Sequence, residues 1–187
     1  MAAMRSKPAI LAATVSLIEA GGFDAVTISA VAKEAGVTRQ TVYSNVGTLE
    51  DLVSEAMIGV ATESLAEVRE VTAATRTARA FVVELIVASR RVVRERPVLA
   101  RLLVPDAGNP VFDRDMMARA LPVARATLAP ITERSPGLVR HLDEIAEVVV
   151  RLALSVLMFD SAAVRSDEDL RSFLERWLGE SVTLLDT

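Results

Sequence analysis

The residues best suited to recognise another molecule lie in the stretch AGVTRQTVYSNVGTLEDL, from Ala35 to Leu52. Within it, Arg39 can donate two hydrogen bonds to O6 and N7 of guanine, and Gln40 can pair with N6 and N7 of adenine. The hydroxyl and amide side chains beside them can donate to phosphate oxygens, which fix position but carry no base sequence. This combination of residue types predicts a surface that contacts double-stranded DNA.

Short helices are needed to position this surface. A first helix is predicted near Ser6–Ala20, a second near Ile28–Ala35, and a third that begins at Thr38 and ends before Gly47. The turn between the last two is Gly36-Val37, and glycine can adopt the positive φ that ends one helix sharply enough for the next to cross it. This spacing is that of a helix-turn-helix, which places its later helix in the major groove of DNA.

The expected contacts with DNA fall into two groups. Residues expected to contact base edges are Thr38, Arg39 and Gln40. Residues expected to contact the phosphate backbone are Lys7, Thr27, Thr41, Tyr43, Ser44, Asn45 and Thr48. Free N–H groups at the starts of the second, third and fourth helices favour the same phosphates, because helix N-termini attract anions.

The remainder of the chain also has the pattern of helices. Helix-forming residues dominate, aromatic residues are 4% of the chain, and no stretch alternates polar and apolar residues as a strand would. An all-α fold of about nine helices is therefore predicted. Three further helices are predicted before the loop at Pro105–Pro110: a fourth, capped by Thr48 and Asp51, that reaches about Val71, a fifth from about Arg76 to Glu95, and a short sixth that ends at Val104-Pro105. A seventh helix is capped by Asn109, begins at Pro110, is kinked at Pro122 and reaches about Glu133. An eighth runs from Ser135-Pro136 to about Ala163, and a ninth, capped by Ser166 and Asp169, ends near Leu184.

Composition limits the kinds of site that the chain can hold. There is no cysteine, which excludes disulfides, thiol nucleophiles and cysteine-ligated metals and fits a reducing cytoplasm. The apolar N-terminal stretch has helical spacing and lacks a cleavage site, so we expect no export signal. The longest later apolar run, Val148–Phe159, is shorter than the roughly 20 residues that span a bilayer, so no membrane segment is predicted.

Charge is distributed unevenly along the chain. The formal net charge is -4, but residues 1–45 hold four cations and three acids, so this segment is weakly basic and the remainder is acidic. Such a small basic bias predicts modest DNA affinity with a shallow salt dependence. The densest basic run lies far along the chain from the expected DNA surface, and we expect it to be exposed; it consists of Arg90, Arg91, Arg94 and Arg96.

The N-terminal segment resembles the DNA-binding domain of the TetR family of transcriptional regulators over roughly residues 9–53. The matching residues are Ile10-Leu11-Ala12-Ala13, Gly22-Phe23, Thr27-Ile28, Val31-Ala32, Ala35-Gly36-Val37-Thr38, Thr41-Val42-Tyr43 and Leu49-Glu50-Asp51-Leu52. Three positions depart from the family pattern. Asn45 and Val46 stand where the family usually has a histidine or aromatic residue followed by phenylalanine, and Leu49 stands where it has a lysine that faces the DNA backbone.

The resemblance implies two domains and a regulated DNA-binding function. Residues 1–47 would form the helix-turn-helix domain, and residues 48–187 a helical domain for effector binding and dimerisation. A homodimer would bind a palindromic operator, and a small, largely apolar effector would release it, as is usual for repressors of the family. The expected effector pocket is lined by Phe81, Leu85, Leu103, Phe112, Met116, Met117, Leu121, Met158 and Phe159. The expected dimer interface consists of Val149, Leu152, Val156, Leu174, Trp177, Leu178 and Val182, which could equally be ordinary core residues.

Two other functions stay open at this stage. The departures at Asn45, Val46 and Leu49 are compatible with a TetR-like ligand-binding or protein-interaction module whose DNA-binding head has degenerated. A small helical enzyme is the other alternative, but the sequence has no nucleophile motif, phosphate-binding glycine loop or dinucleotide fingerprint, so no catalytic residue is expected. His141 is the only histidine and has no cysteine partner, so we expect it to be structural and expect neither a metal nor a cofactor.

Overall fold

Helices make up the secondary structure of the protein. The computed structural model describes residues 2–101, 103 and 116–184, and these residues contain no β-strand. The α-helices are α1 (Ala2–Gly21), α2 (Ile28–Glu34), α3 (Arg39–Val46), α4 (Leu49–Ala73), α5 (Ala78–Glu95), α6 (Pro97–Arg101), α7 (Met116–Leu128), α8 (Pro130–Arg134), α9 (Leu142–Met158) and α10 (Asp167–Leu184). Short 3-10 helices lie at Phe23–Ala25, Pro136–His141 and Ala162–Val164. The expected all-α fold is confirmed.

The helices pack into two compact units. The first unit draws on Met1–Glu63 and Arg96–Asn109, and the second on Ser64–Glu95 and Pro110–Thr187. Along the chain, the boundary between them therefore falls inside α4. The first unit contains the whole of the segment 1–47, whose role as a separate domain stays a prediction.

The first unit has a core of branched apolar side chains from α1 to α4. Ile10, Ile18, Val31, Val42 and Leu52 each have an exposed fraction of 0%. Helix α1 packs against α2, α3 and α6, so it is the helix on which this unit is assembled. The buried residues of α3, among them Val42, attach this helix to the core and leave its polar face outside.

Gly36 and Gly59 permit a matched test of backbone conformation. A methyl group added at either glycine would meet no atom within 4 Å, but only Gly36 has a positive φ, of 66°. We expect Gly36→Ala to lower the free energy of unfolding by about 1–2 kcal/mol, because a Cβ strains the left-handed conformation. We expect Gly59→Ala, within α4, to raise it by roughly 0.5–1 kcal/mol, because alanine loses less entropy in a helix. Urea unfolding measures both, and equal effects of the two substitutions would contradict the assigned turn.

Helix α5 is the centre of the second unit. It packs against α8, α9 and α10, and residues 81–83 and 85–88 are all buried, so this part of the helix is covered on every side. Polar ties to α10 add to the apolar contacts. Glu84 forms a two-pronged ion pair with Arg171, at 2.5 and 3.2 Å, and Arg79 Nη2 donates to the carbonyl of Glu175 at 3.0 Å.

The prediction that Arg90 lies on the surface was wrong. Its side chain has an exposed fraction of 0%, its Nη1 donates to the carbonyl of Val164, and its Nη2 is 2.9 Å from Asp167 Oδ1. The physical reason is that α10 packs against α5, and the carbonyl of Val164 and the carboxylate of Asp167, at the start of α10, supply acceptors for the buried guanidinium. Arg94 is exposed as expected, whereas Arg91 and Arg96 are half-buried.

The long seventh helix expected from the sequence is interrupted. Helix α7 continues through Pro122 and ends at Leu128, and α8 begins at Pro130, so the break comes later than the kink that we predicted. Pro130 has no N–H to donate, which suits the first position of a helix. The expected start of this helix at Asn109-Pro110 and the expected end of the sixth at Val104-Pro105 lie outside the described residues.

Two capping pairs predicted from the sequence are confirmed. Asp51 Oδ2 accepts hydrogen bonds from the N–H and hydroxyl of Thr48 at 3.0 and 2.7 Å, and Thr48 Oγ1 accepts from the Asp51 N–H at 3.1 Å. Ser166 and Asp169 repeat this exchange at 3.1, 2.7 and 3.0 Å. These pairs satisfy N–H groups that a helix start would otherwise leave unpaired.

Candidate nucleic-acid interface

Helix α3 presents a polar face while its apolar side chains are buried. Val42 and Val46 have exposed fractions of 0% and 8%, which fixes the rotation of the helix on the core. The side chains of the other six helical residues and of the preceding threonine face away from that core to different degrees. Those exposed are Thr38, Arg39, Gln40, Tyr43 and Ser44, and those half-buried are Thr41 and Asn45.

The small polar side chains of α3 are engaged with one another or with the backbone. Thr38 Oγ1 accepts the Thr41 N–H at 3.1 Å, and the hydroxyls of these two residues are 2.8 Å apart. Ser44 Oγ and Asn45 Nδ2 donate to the carbonyl of Thr41 at 3.1 and 2.7 Å. Because one hydroxyl hydrogen is used between Thr38 and Thr41, this pair has a single O–H left to offer a phosphate.

Arg39 and Gln40 are the long polar side chains that remain available on α3. Among the described residues, neither takes part in a side-chain hydrogen bond or an ion pair, and both are exposed. A guanidinium and an amide are the two groups that pair bidentately with guanine and adenine edges. Of the three residues that the sequence predicts for base contacts, the structure thus leaves Arg39 and Gln40 uncommitted, whereas Thr38 is hydrogen-bonded to Thr41.

The other expected backbone contacts lie at helix starts and on α1. Thr27 caps α2 by accepting the Ala30 N–H at 3.1 Å, and Thr48 caps α4 as described above. One N–H at each of the three helix starts is therefore already satisfied by a threonine. Lys7 lies on α1, where its ammonium is 2.7 Å from Glu55 Oε1.

Asp51 allows the cap of α4 to be tested by titration. The hydroxyl and then the N–H of Thr48 lower the pKa of Asp51 below 3.8. Since the folded-state pKa is the lower one, the associated stability is present above the unfolded pKa and is lost as the pH falls below about 3.8 through the folded value. We expect Thr48→Val to move the Asp51 pKa back toward 3.8, because it removes the hydroxyl and retains the N–H. Carboxyl NMR measures this pKa, and an equally low value in the variant would contradict the cap.

The residues expected to line an effector pocket are only partly brought together. In the second unit, a cavity of about 350 Å³ lies between α7 and α9, lined by Ala118, Leu121, Pro122, Arg125, Asp143 and Ala146. Leu121 is the one expected residue among them. Phe81 and Leu85 are buried, with the guanidinium of Arg134 stacked 5.0 Å from the Phe81 ring centre.

The remaining expected pocket residues lie elsewhere. Met116 and Met117 are half-buried on α7, whereas Met158 and Phe159 have exposed fractions of 39% and 69%. Leu103 belongs to the first unit, and Phe112 lies outside the described residues. Sequence reasoning did not select Arg125 and Asp143, which pair at 3.0 Å beside the cavity, and their separation along the chain gives no local signal.

The residues expected at a dimer interface divide by exposure. Val149, Val156 and Leu174 are buried within the chain at 5%, 7% and 1% exposed. Trp177 is 66% exposed, and Leu152 and Leu178 are half-buried. The side chain of Val182 lies outside the described residues. Val148, which is 42% exposed on α9, was not selected from the sequence, although it precedes Leu152 by one turn.

The described part of the chain contains neither a cluster of metal ligands nor a helix suited to crossing a membrane. No three histidine, aspartate or glutamate side chains there come together as ligands for a metal ion. None of the helices there combines the length and the apolar composition that crossing a membrane requires. The ring of His141 contacts neighbouring side chains: its Nε2 accepts from Arg140 Nε at 3.1 Å, and its Nδ1 is 3.5 Å from Glu144 Oε2.

Comparison with known proteins identifies relatives of the N-terminal segment and of the fold. Residues 10–56 match the family described as "Bacterial regulatory proteins, tetR family". No curated protein matches the sequence. Among solved structures, the TetR family repressor AlkX from Dietzia sp. strain DQ12-45-1b is 23% identical, with 97% of each chain covered and a TM-score of 0.66.

Two further structures share this fold at lower identity. PfmR, a TetR family transcriptional regulator from Thermus thermophilus, is 14% identical over 89% of this chain and 91% of its own, with a TM-score of 0.53. AibR, solved in complex with isovaleryl coenzyme A and operator DNA, is 13% identical over 91% of this chain and 97% of its own, with a TM-score of 0.52. Identities this low establish a common fold alone.

Proposed function

We propose that this protein is a DNA-binding regulator of the TetR family, and specifically a homodimeric repressor that a small, largely apolar effector releases from a palindromic operator. The match of residues 10–56 to the family supports this proposal. The observation that supports this proposal most strongly is which side chains of α3 are buried and which are exposed. Its buried valines attach it to the core, while Arg39 and Gln40 are exposed and uncommitted. We further propose that the protein acts in the cytoplasm and has no catalytic role.

In this proposal, base contacts supply more of the specificity than charge does. Arg39 pairs with a guanine and Gln40 with an adenine, and each contact provides roughly 1–3 kcal/mol of discrimination. Thr38 contacts a base edge beside them, and Thr41 together with the threonine caps of α2 and α4 sets the register of α3 by contacting phosphates. Because few cations accompany them, affinity should be modest and its salt dependence shallow.

A homodimer explains why the operator would be palindromic. Two copies related by a twofold axis place two α3 helices in successive major grooves, with half-site centres about 34–36 Å apart. Helices α9 and α10 are the proposed interface, because Trp177 and Val148 expose apolar surface there. Exposed aromatic residues are typical anchors of such interfaces.

The cavity between α7 and α9 is the proposed effector site. Its lining is mainly apolar, and Pro122 cannot donate to the carbonyl of Ala118, which therefore lacks its usual intrahelical donor. An apolar effector is also in keeping with AlkX, which is implicated in biodegradation of n-alkanes, and an acyl ligand is present in AibR. Release requires that the effector bind the DNA-incompetent conformation more tightly than the competent one.

The test is selection of random duplex DNA by the purified full-length protein, followed by sequencing of the bound pool at several salt concentrations. Enrichment of a palindrome with guanine and adenine at fixed positions in each half is expected. Absence of any enriched sequence would overturn the proposal and favour a module whose DNA-binding head has degenerated. The departures from the family pattern at Asn45, Val46 and Leu49 are the observation that supports this alternative.

A further inference from the structure

We infer that Glu55 restrains the DNA affinity of the first unit by holding the ammonium of Lys7 away from phosphate. This inference rests on the proposed function, because it concerns how strongly the same surface binds DNA. It assigns a role to an acidic residue that contacts neither a base nor a phosphate. Such a contact within the protein is autoinhibitory.

Lys7 and Glu55 form a close ion pair that is open to solvent. Lys7 Nζ lies 2.7 Å from Glu55 Oε1, which is the distance of a charge-assisted hydrogen bond. The pair joins α1 to the second turn of α4, the helix that directly follows α3. The two side chains are 42% and 40% exposed, so the ammonium can exchange the carboxylate for another anion without any rearrangement of the core.

Residues 1–63 contain few positive charges. Residues 1–63 hold four cations, Arg5, Lys7, Lys33 and Arg39, against seven acids. Among the described side chains of this segment, Lys33 and Arg39 make no ion pair, whereas Lys7 is neutralised by Glu55. Loss of one cation among so few matters, because each phosphate that is neutralised contributes to affinity through counterion release.

A double-mutant cycle on the full-length protein tests this restraint. We expect Glu55→Gln to tighten binding about three- to tenfold and to steepen the salt slope, log Kd against log salt, by about 0.9. We expect Lys7→Gln to weaken binding less in the wild-type background than in the Glu55→Gln background, where it should abolish most of the gain. Glu63→Gln is the matched control, since it removes an exposed carboxylate from the same helix that pairs with Arg96 at 3.4 Å instead.

The outcomes of the cycle are separable from those of the operator search. The restraint acts on any duplex, so all variants are titrated against both the selected operator and a random duplex by fluorescence anisotropy. Equal effects of Lys7→Gln in both backgrounds, an equal gain from Glu63→Gln, or no binding by any variant would overturn the inference. Intact coupling on random duplex without an enriched operator would sink the proposed function and leave the restraint standing.

Discussion

Arg39→Ala is expected to weaken binding to the selected operator by about 5- to 150-fold per half-site, which corresponds to the roughly 1–3 kcal/mol of a bidentate arginine–guanine contact. The substitution should relax the preference for guanine at one position of each half-site. Binding to random duplex should fall far less, because only one cation is lost. Anisotropy titrations with operator and random duplexes, at one salt concentration, measure both quantities.

Lys33→Ala is the matched control for this prediction. Lys33 is an exposed cation on α2 that makes no ion pair among the described residues, so its removal changes charge by the same amount. We expect a small, uniform loss on both duplexes. If Lys33→Ala and Arg39→Ala lowered operator binding equally and left the base preference unchanged, Arg39 would contribute charge and not base recognition.

Trp177→Glu is expected to raise the dissociation constant of the proposed homodimer at least about 30-fold, since an aromatic anchor at an interface contributes roughly 2–4 kcal/mol. Trp177 is 66% exposed on α10, so its replacement should leave the fold of the chain unchanged. Operator binding should weaken as the dimer is lost, because a monomer can contact only one half-site. Sedimentation analysis over a range of protein concentrations gives the dimer constant, and circular dichroism checks the fold.

Val139→Glu provides the comparison for Trp177→Glu. Val139 is 62% exposed in the 3-10 helix Pro136–His141, outside α9 and α10. The same acid at a similarly exposed apolar position should leave the oligomeric state unaltered. A dimer that survives Trp177→Glu, or one that Val139→Glu disrupts equally, would rule out the proposed interface.

Features set by neighbouring residues could be predicted from the sequence. The positive φ of Gly36, the start of α3 after Thr38 and the cap formed by Thr48 and Asp51 each involve residues within a few positions of one another. Their partners are determined by helix geometry and hardly at all by the rest of the fold. For the same reason, the polar character of α3 could be predicted without knowledge of how the helix packs.

Features set by distant residues could not be predicted in this way. Arg90 belongs to a dense run of arginines that has the composition of a solvated surface, and only the packing around α5 shows that it is buried. Lys7 was predicted to contact the DNA backbone, and its pairing with Glu55 could not be foreseen because it depends on how α1 and α4 pack. Met158 and Phe159 have the types of pocket residues, yet they are exposed, since periodicity does not tell which apolar positions a neighbouring helix covers.

The polar ties between α5 and α10 also bear on the order in which the protein folds as it is synthesised. They connect residues 77 positions apart for Arg90 and Asp167, 87 for Glu84 and Arg171, and 96 for Arg79 and Glu175. Pairing over such separations requires the closure of a long loop. The contacts of α1 with α2 and α3, by contrast, are complete within the first 46 residues. The helix-turn-helix can therefore form early on the ribosome, whereas α5 keeps an uncovered apolar face, open to chaperones, until α10 has emerged.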